Sequence, residues 1–205
     1  MLPSFLRHKI VLGAAATLAA LTVAVGTVAA EPGKITSFDM LPSAAGKTCL
    51  PDARAHVQIK SLGPVEVMTV QLANVPPNTD FDLFVLQDPV SPFGVSWYQG
   101  DVESWGDGNS DVFHFIGRFS VETFAVAPGT APAPVVFDDD ASSNPAFNPI
   151  QMYHLGLWFN SPEDAVKAGC PGTVTPFNGE HHAGIQLLNT AQFPLDQGPL
   201  RAIHN

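Results

Sequence analysis

The chain has 205 residues, of which 9 are Lys or Arg and 19 are Asp or Glu, so its formal net charge is −10 at pH 7. Such an acidic chain repels phosphate groups, which argues against nucleic acid and anionic membrane surfaces as partners. No G-x-S-x-G or H-E-x-x-H motif is present, so no catalytic residue is assigned.

Residues 1–30 are typical of a secretory signal peptide. A basic segment at residues 7–9 precedes a run of mostly Ala, Val and Leu, and Val-Ala-Ala at residues 28–30 suits a peptidase. Residues 31–205 are then one mature, secreted or cell-surface domain. An uncleaved anchor is the alternative, because the apolar run approaches the ~20 residues that cross a bilayer. No second such run follows, so cleavage would leave no stable membrane insertion.

The two cysteines, Cys49 and Cys170, are predicted to form a disulfide, since oxidation is the default outside the cytoplasm. The closed loop of roughly 120 residues would stabilise the fold by about 4–5 kcal/mol on chain-entropy grounds. A bridge also argues against a catalytic thiol and against a blue-copper site, because both need a free cysteine.

Proline and glycine interrupt the mature chain at short intervals, a pattern typical of many short strands. The predicted strands are residues 54–60, 65–72, 81–87, 95–99, 111–116, 118–126, 134–137, 150–159 and 182–188. A change of phase predicts a β-bulge at Val67/Met68, and two prolines predict a turn over residues 75–80.

One short helix is predicted over residues 161–169. Ser161 can cap it, Pro162 suits the first helical position, and Asp164 completes a capping box. Because strands and helices do not alternate, the sequence predicts an all-β, antiparallel β-sandwich. A jelly-roll-like topology is left open, since the sequence does not set the order of the strands.

The most acidic loop is the first candidate site. Its oxygen-bearing residues would suit a calcium ion, which takes six to eight oxygen ligands. These residues are Asp101, Glu103, Asp107, Asn109 and Asp111. An EF-hand is excluded, because Val112 occupies the position where the EF-hand loop requires glycine. Arg118 likewise occupies the position of its bidentate glutamate. A solvated hairpin loop is the alternative, and the acidic turn at residues 138–140 would strengthen the calcium hypothesis if the two meet.

Trp105 is the candidate for binding a ligand, because it is a large apolar ring within that polar loop. Flat aromatic rings stack on sugars, so an extracellular glycan is the partner that this residue favours. Glu-His-His at residues 180–182 is the best transition-metal candidate, although strand neighbours face opposite sides. His114 and His154, in apolar strands, are expected as hydrogen-bonded core or interface residues.

Several stretches resemble a family of secreted bacterial proteins of actinobacterial type with no established activity. They include NVPPNTDFDLFVLQ (residues 74–87), SPFGVSWYQGDVES (residues 91–104) and YHLGLWFNSPEDA (residues 153–165). The likeness covers most of the mature chain. It implies export and a single domain, and it transfers no catalytic residue.

The sequence therefore predicts an exported, non-catalytic protein of the cell exterior that has a binding or structural role and an unknown extracellular ligand. One alternative is a secreted hydrolase whose carboxylates converge only in the fold. Another is a calcium-stabilised carbohydrate-binding module built on the acidic loop. No cofactor is predicted, and a calcium ion at the acidic loop is the alternative.

Overall fold

A computed structural model describes residues 33–63, 65–122, 150–176 and 182–203. The strands are β1 (Ile35–Pro42), β2 (Arg54–Ser61), β3 (Glu66–Ala73), β4 (Asp80–Leu86), β5 (Ser96–Glu103), β6 (Phe113–Gly117), β7 (Val121–Glu122), β8 (Ile150–Gln151), β9 (His154–Phe159), β10 (Thr175–Pro176), β11 (His182–Ala183) and β12 (Gln186–Asn189). The helices are α1 (Gly46–Cys49), α2 (Pro162–Lys167) and a C-terminal 3-10 helix (Pro199–Ile203). The signal segment, the strand predicted at residues 134–137 and the acidic turn at residues 138–140 lie outside the described residues.

Eight strands form an antiparallel sheet in the order β5-β4-β9-β12-β1-β2-β3-β6. Strand β1 joins its two halves, because residues 35–40 pair with β2 whereas Leu41 and Pro42 pair with β12. The outermost strands, β5 and β6, also approach each other: a Cβ at Gly100 would lie 2.9 Å from the Phe115 ring. The sheet therefore nearly closes on itself, and the predicted all-β, antiparallel fold with a short helix is confirmed.

The main core lies between the two halves of the sheet. Strand β2 alternates as its sequence predicts, with Ala55, Val57 and Ile59 buried and their neighbours exposed. Strands β4 and β9 are buried on both faces, so Leu83 packs in the main core while Trp158 packs on the opposite side. Each such buried aliphatic or aromatic side chain stabilises the fold by about 1.5–3 kcal/mol.

The β-bulge predicted at Val67/Met68 is wrong. Strand β3 pairs with β2 in unbroken register from Glu66 opposite Ser61 to Ala73 opposite Arg54. The apparent change of phase has a chemical origin. Glu66, a carboxylate, occupies an inward position, while the apolar Val67 lies on the outer face.

Several element boundaries also differ from the prediction. Strand β5 runs on to Glu103, so residues 101–103 of the acidic loop predicted over residues 101–111 are strand. The strand predicted at residues 150–159 is divided into β8 and β9, and the one at residues 182–188 into β11 and β12. Of the strand predicted at residues 118–126, the described part contains only Val121–Glu122, because the preceding residues turn around Glu66.

The predicted helix and disulfide are both confirmed. The Ser161 hydroxyl accepts a hydrogen bond from the Asp164 N–H at 3.1 Å, which caps α2. Gly169 ends the helix with φ +77°, and the Cys170 N–H then donates to the Ala165 carbonyl at 2.8 Å. This turn places Cys170 in a disulfide with Cys49, which is 121 residues away in sequence.

Candidate functional site

The structure does not gather the five predicted calcium ligands into one site. Asp101 and Glu103 lie exposed on β5, whereas Asp107 accepts a hydrogen bond from the Asn109 N–H at 3.0 Å in the following loop. Hydrogen bonds from Asn109 hold the pKa of Asp107 below its ordinary value. Within the described ranges, no three His, Cys, Asp or Glu side chains form a group that could hold a metal. The geometry, including that of the exposed Asp111, therefore lends the calcium hypothesis no support.

Trp105 lies in the loop that follows β5, as predicted. Its carbonyl accepts hydrogen bonds from the N–H groups of Asn78 at 3.2 Å and Gly108 at 3.0 Å, which fix the backbone. The side chain is 49% exposed. The ring is therefore accessible to a ligand, and its binding role stays a prediction.

A second group of aromatic side chains lies on the outer face of β4 and β9. We call Phe84, Phe93, Tyr98 and Trp158 the outer aromatic cluster. The Trp158 ring is fully buried and contacts Phe84 and Phe93 edge-on, with centroids 5.4 and 5.2 Å apart. Tyr98 packs against Phe84 with centroids 5.5 Å apart but stays 46% exposed. The cluster therefore reaches solvent at Tyr98.

The Tyr98 hydroxyl is held by an acidic neighbour. It donates a hydrogen bond to Asp101 Oδ1 at 2.6 Å. Partial burial, followed by this hydrogen bond and the charges of Asp101 and Asp82, raises the pKa of Tyr98, so the phenol stays protonated. Asp82 is buried and lies directly opposite Asp101 in the β4–β5 pairing. An aromatic face and carboxylate oxygens are thus presented side by side.

A third cluster lies on the outer face of β1 and β2. His56 Nδ1 is 2.8 Å from Asp39 Oδ1, and His56 Nε2 is 3.2 Å from Ser37 Oγ. The side chains of His56 and Asp39 are 51% and 52% exposed. No sequence pattern pointed to this cluster, because β1 was not predicted and only the β1–β2 pairing brings the three residues together.

The structure places the other histidines singled out in the sequence in different environments. His154 is buried, as expected, with Nδ1 2.9 Å from Thr190 Oγ1 and Nε2 3.0 Å from the Leu195 carbonyl. Burial lowers its pKa, so a neutral imidazole joins β9 to the chain after β12. His114, expected in the core or an interface, is instead exposed on β6. Of the predicted metal ligands at residues 180–182, the first two lie outside the described residues and His182 begins β11.

Comparisons with known proteins assign neither a family nor a function to this chain. No protein-family profile matches the chain, and neither curated proteins nor solved structures give a match. The resemblance to secreted actinobacterial-type proteins therefore stays a prediction. Among the described residues, no helix is both long enough and apolar enough to span a membrane.

Proposed function

We propose that this chain is an exported protein of the cell exterior that binds an extracellular glycan at the surface formed by Tyr98 and Asp101. The observation that carries the proposal is the setting of Tyr98. Its ring is half-exposed, packs against the buried Phe84 ring and is fixed by a hydrogen bond to a carboxylate. A ring held in this way can stack on a sugar with little further loss of side-chain entropy.

The surrounding charges define the class of glycan. Asp101 has acceptor oxygens for sugar hydroxyl groups beyond the one bond it receives from Tyr98. Asp82 lies opposite it, and residues 31–205 contain seven Lys or Arg against all 19 acidic residues. This negative field disfavours anionic polymers, so we propose a neutral or amino-bearing polysaccharide.

Export is supported by the signal-like segment together with the disulfide, which persists in oxidising compartments. When the full chain is produced in an exporting bacterium, we expect the product outside the cytoplasm to begin at Glu31. We also expect neither thiol to react without a reductant. N-terminal sequencing and thiol titration provide the measurements. Cytoplasmic protein that retains residues 1–30 and has two free thiols would contradict export.

Glycan binding can be tested at Tyr98. A stacking contribution of about 1.5 kcal/mol corresponds to roughly tenfold in affinity, so Tyr98→Ala should weaken binding by about that factor. Affinity gel electrophoresis in neutral glucan, mannan, galactan and chitosan would measure it. Tyr98→Phe should retain part of the binding, because the ring remains while the hydrogen bond to Asp101 is lost.

The matched control is Ile116→Ala, which removes another large exposed apolar side chain, 74% exposed on β6. This variant should migrate like the wild-type protein in every gel. If Trp105→Ala loses binding while Tyr98→Ala does not, the binding surface is the loop after β5 instead. If no polysaccharide in the panel retards the wild-type protein, the glycan proposal is wrong.

A further inference from the structure

We propose that Ser37, His56 and Asp39 form an acyl-transfer site that hydrolyses ester groups projecting from an extended polymer. This activity goes beyond the proposed binding function and uses a different part of the sheet. Asp39 and His56 are directly opposite each other in the β1–β2 pairing, and Ser37 is diagonal to His56. Two paired strands thus hold three chemically complementary side chains on one face.

The hydrogen bonds assign a role to each group. Asp39 has only acceptor oxygens when ionised, so His56 Nδ1–H donates to it across 2.8 Å. This tautomer leaves the Nε2 lone pair to accept the Ser37 Oγ–H across 3.2 Å. A hydroxyl next to a base, with the base oriented by a carboxylate, is the arrangement that activates a serine nucleophile.

Gln58 supplies the fourth group that acyl transfer requires, a hydrogen-bond donor for the oxyanion. It lies directly opposite Ser37 in the strand pairing, and its Nε2 is 3.3 Å from His56 Nε2. The amide donor and the Ser37 hydroxyl therefore approach the same ring nitrogen. When Ser37 passes its proton to His56 Nε2, that nitrogen no longer accepts from the Gln58 amide, and the freed N–H can donate to the oxyanion that forms on the attacked ester carbonyl.

The reaction balances with water as the only co-reactant. Ser37 Oγ bonds to the ester carbonyl carbon while its proton passes to His56 Nε2. The bond between that carbon and the alcohol oxygen then breaks, and His56 returns the proton to the departing alkoxide. Water attacks the acyl-serine and gives a proton to His56, and collapse releases the carboxylic acid and restores the Ser37 hydroxyl.

The setting of the cluster defines the class of substrate. His56 and Asp39 are about half-exposed on the outer face of a sheet, where their neighbour Gln58 is also exposed and Thr69 is partly exposed. An open face does not enclose a small molecule, but it can lie along a polymer and meet acyl groups that project from it. Free access of water also keeps the local dielectric high, so turnover should be slow.

The test uses the mature protein with two probes, p-nitrophenyl acetate and acetylated xylan. We expect release of p-nitrophenol and acetate, with a transient acetyl group on Ser37 detected by peptide mass spectrometry. Ser37→Ala and His56→Gln should each reduce the rate by at least about 100-fold, the lower range for a general base. Both side chains are exposed, so unchanged melting temperatures should show that folding is intact.

His114→Gln is the matched control, because His114 is also an exposed histidine on an outer face, on β6. It should hydrolyse both probes at the wild-type rate. Asp39→Asn should slow hydrolysis while leaving Ser37 in place, and Gln58→Ala should slow it without preventing acetylation of Ser37. A Ser37→Ala rate equal to wild type, or acetylation only at other residues, overturns the site. Cleavage of p-nitrophenyl acetate without acetate release from acetylated xylan overturns the polymer substrate.

Discussion

We expect Glu66→Ala to lower the free energy of unfolding by about 3 kcal/mol, because it leaves buried donors without a charged acceptor. Glu66 faces inward from β3, and its side chain is fully buried. One oxygen accepts from the buried Phe119 N–H, and the other from the Ser120 hydroxyl at 3.2 Å. Arg118 Nε lies 3.5 Å from the same carboxylate, although its own side chain is 46% exposed. The carboxylate thus fixes the turn between β6 and β7.

The matched variant is Glu66→Gln, which preserves the volume and one acceptor oxygen. It should retain the bond from the Phe119 N–H and lose the charge that attracts Arg118, so we expect about half of the alanine effect. Urea unfolding followed by tryptophan fluorescence gives the midpoints, and an unchanged m-value would show that the same surface is exposed on unfolding. A Glu66→Ala midpoint equal to wild type would show that desolvation of the carboxylate cancels its hydrogen bonds.

The sequence correctly predicted those elements whose local residue pattern matches their surroundings in the fold. Ala55, Val57 and Ile59 alternate with polar residues, because one face of β2 is buried and the other is exposed to solvent. Ser161 and Asp164 predicted the start of α2, since a capping box depends only on residues three apart. The disulfide followed from the presence of two cysteines in a chain that the sequence predicts to be exported.

Contacts that depend on the pairing of distant strands could not be predicted from the sequence. Glu66 breaks the alternation of β3 because its hydrogen-bond partners come from a turn more than 50 residues later in the chain. Ser37 and His56 meet only through the β1–β2 register, and β1 itself carries a weak apolar pattern. Tyr98 joins the outer aromatic cluster through the irregular register between β4 and β5. Such contacts are set by tertiary structure, which local propensity does not specify.

Removing the Cys49–Cys170 disulfide is the other change with a large expected effect. The bridge spans 121 residues, and chain entropy alone predicts a stabilisation of about 5 kcal/mol, against a typical 2–4 kcal/mol. Cys49 ends α1, and Gly46 in that helix lies so close to β12 that a Cβ would clash with the Leu187 carbonyl. Cys170 follows α2. The disulfide therefore links the segments of α1 and α2 covalently and helps to hold both short helices on the same core.

The informative variant is Cys49→Ala/Cys170→Ala, because Cys170 is buried among apolar residues and alanine adds no polar group there. We expect a loss of about 2–4 kcal/mol in urea unfolding. A reductant should lower the wild-type midpoint by a similar amount and leave the double variant unchanged. Equal losses would identify the cross-link, rather than the packing of the sulfur atoms, as the source of stability. A double variant that unfolds at the wild-type midpoint would show instead that the buried contacts around α1 and α2 hold the two helices in place without the bridge.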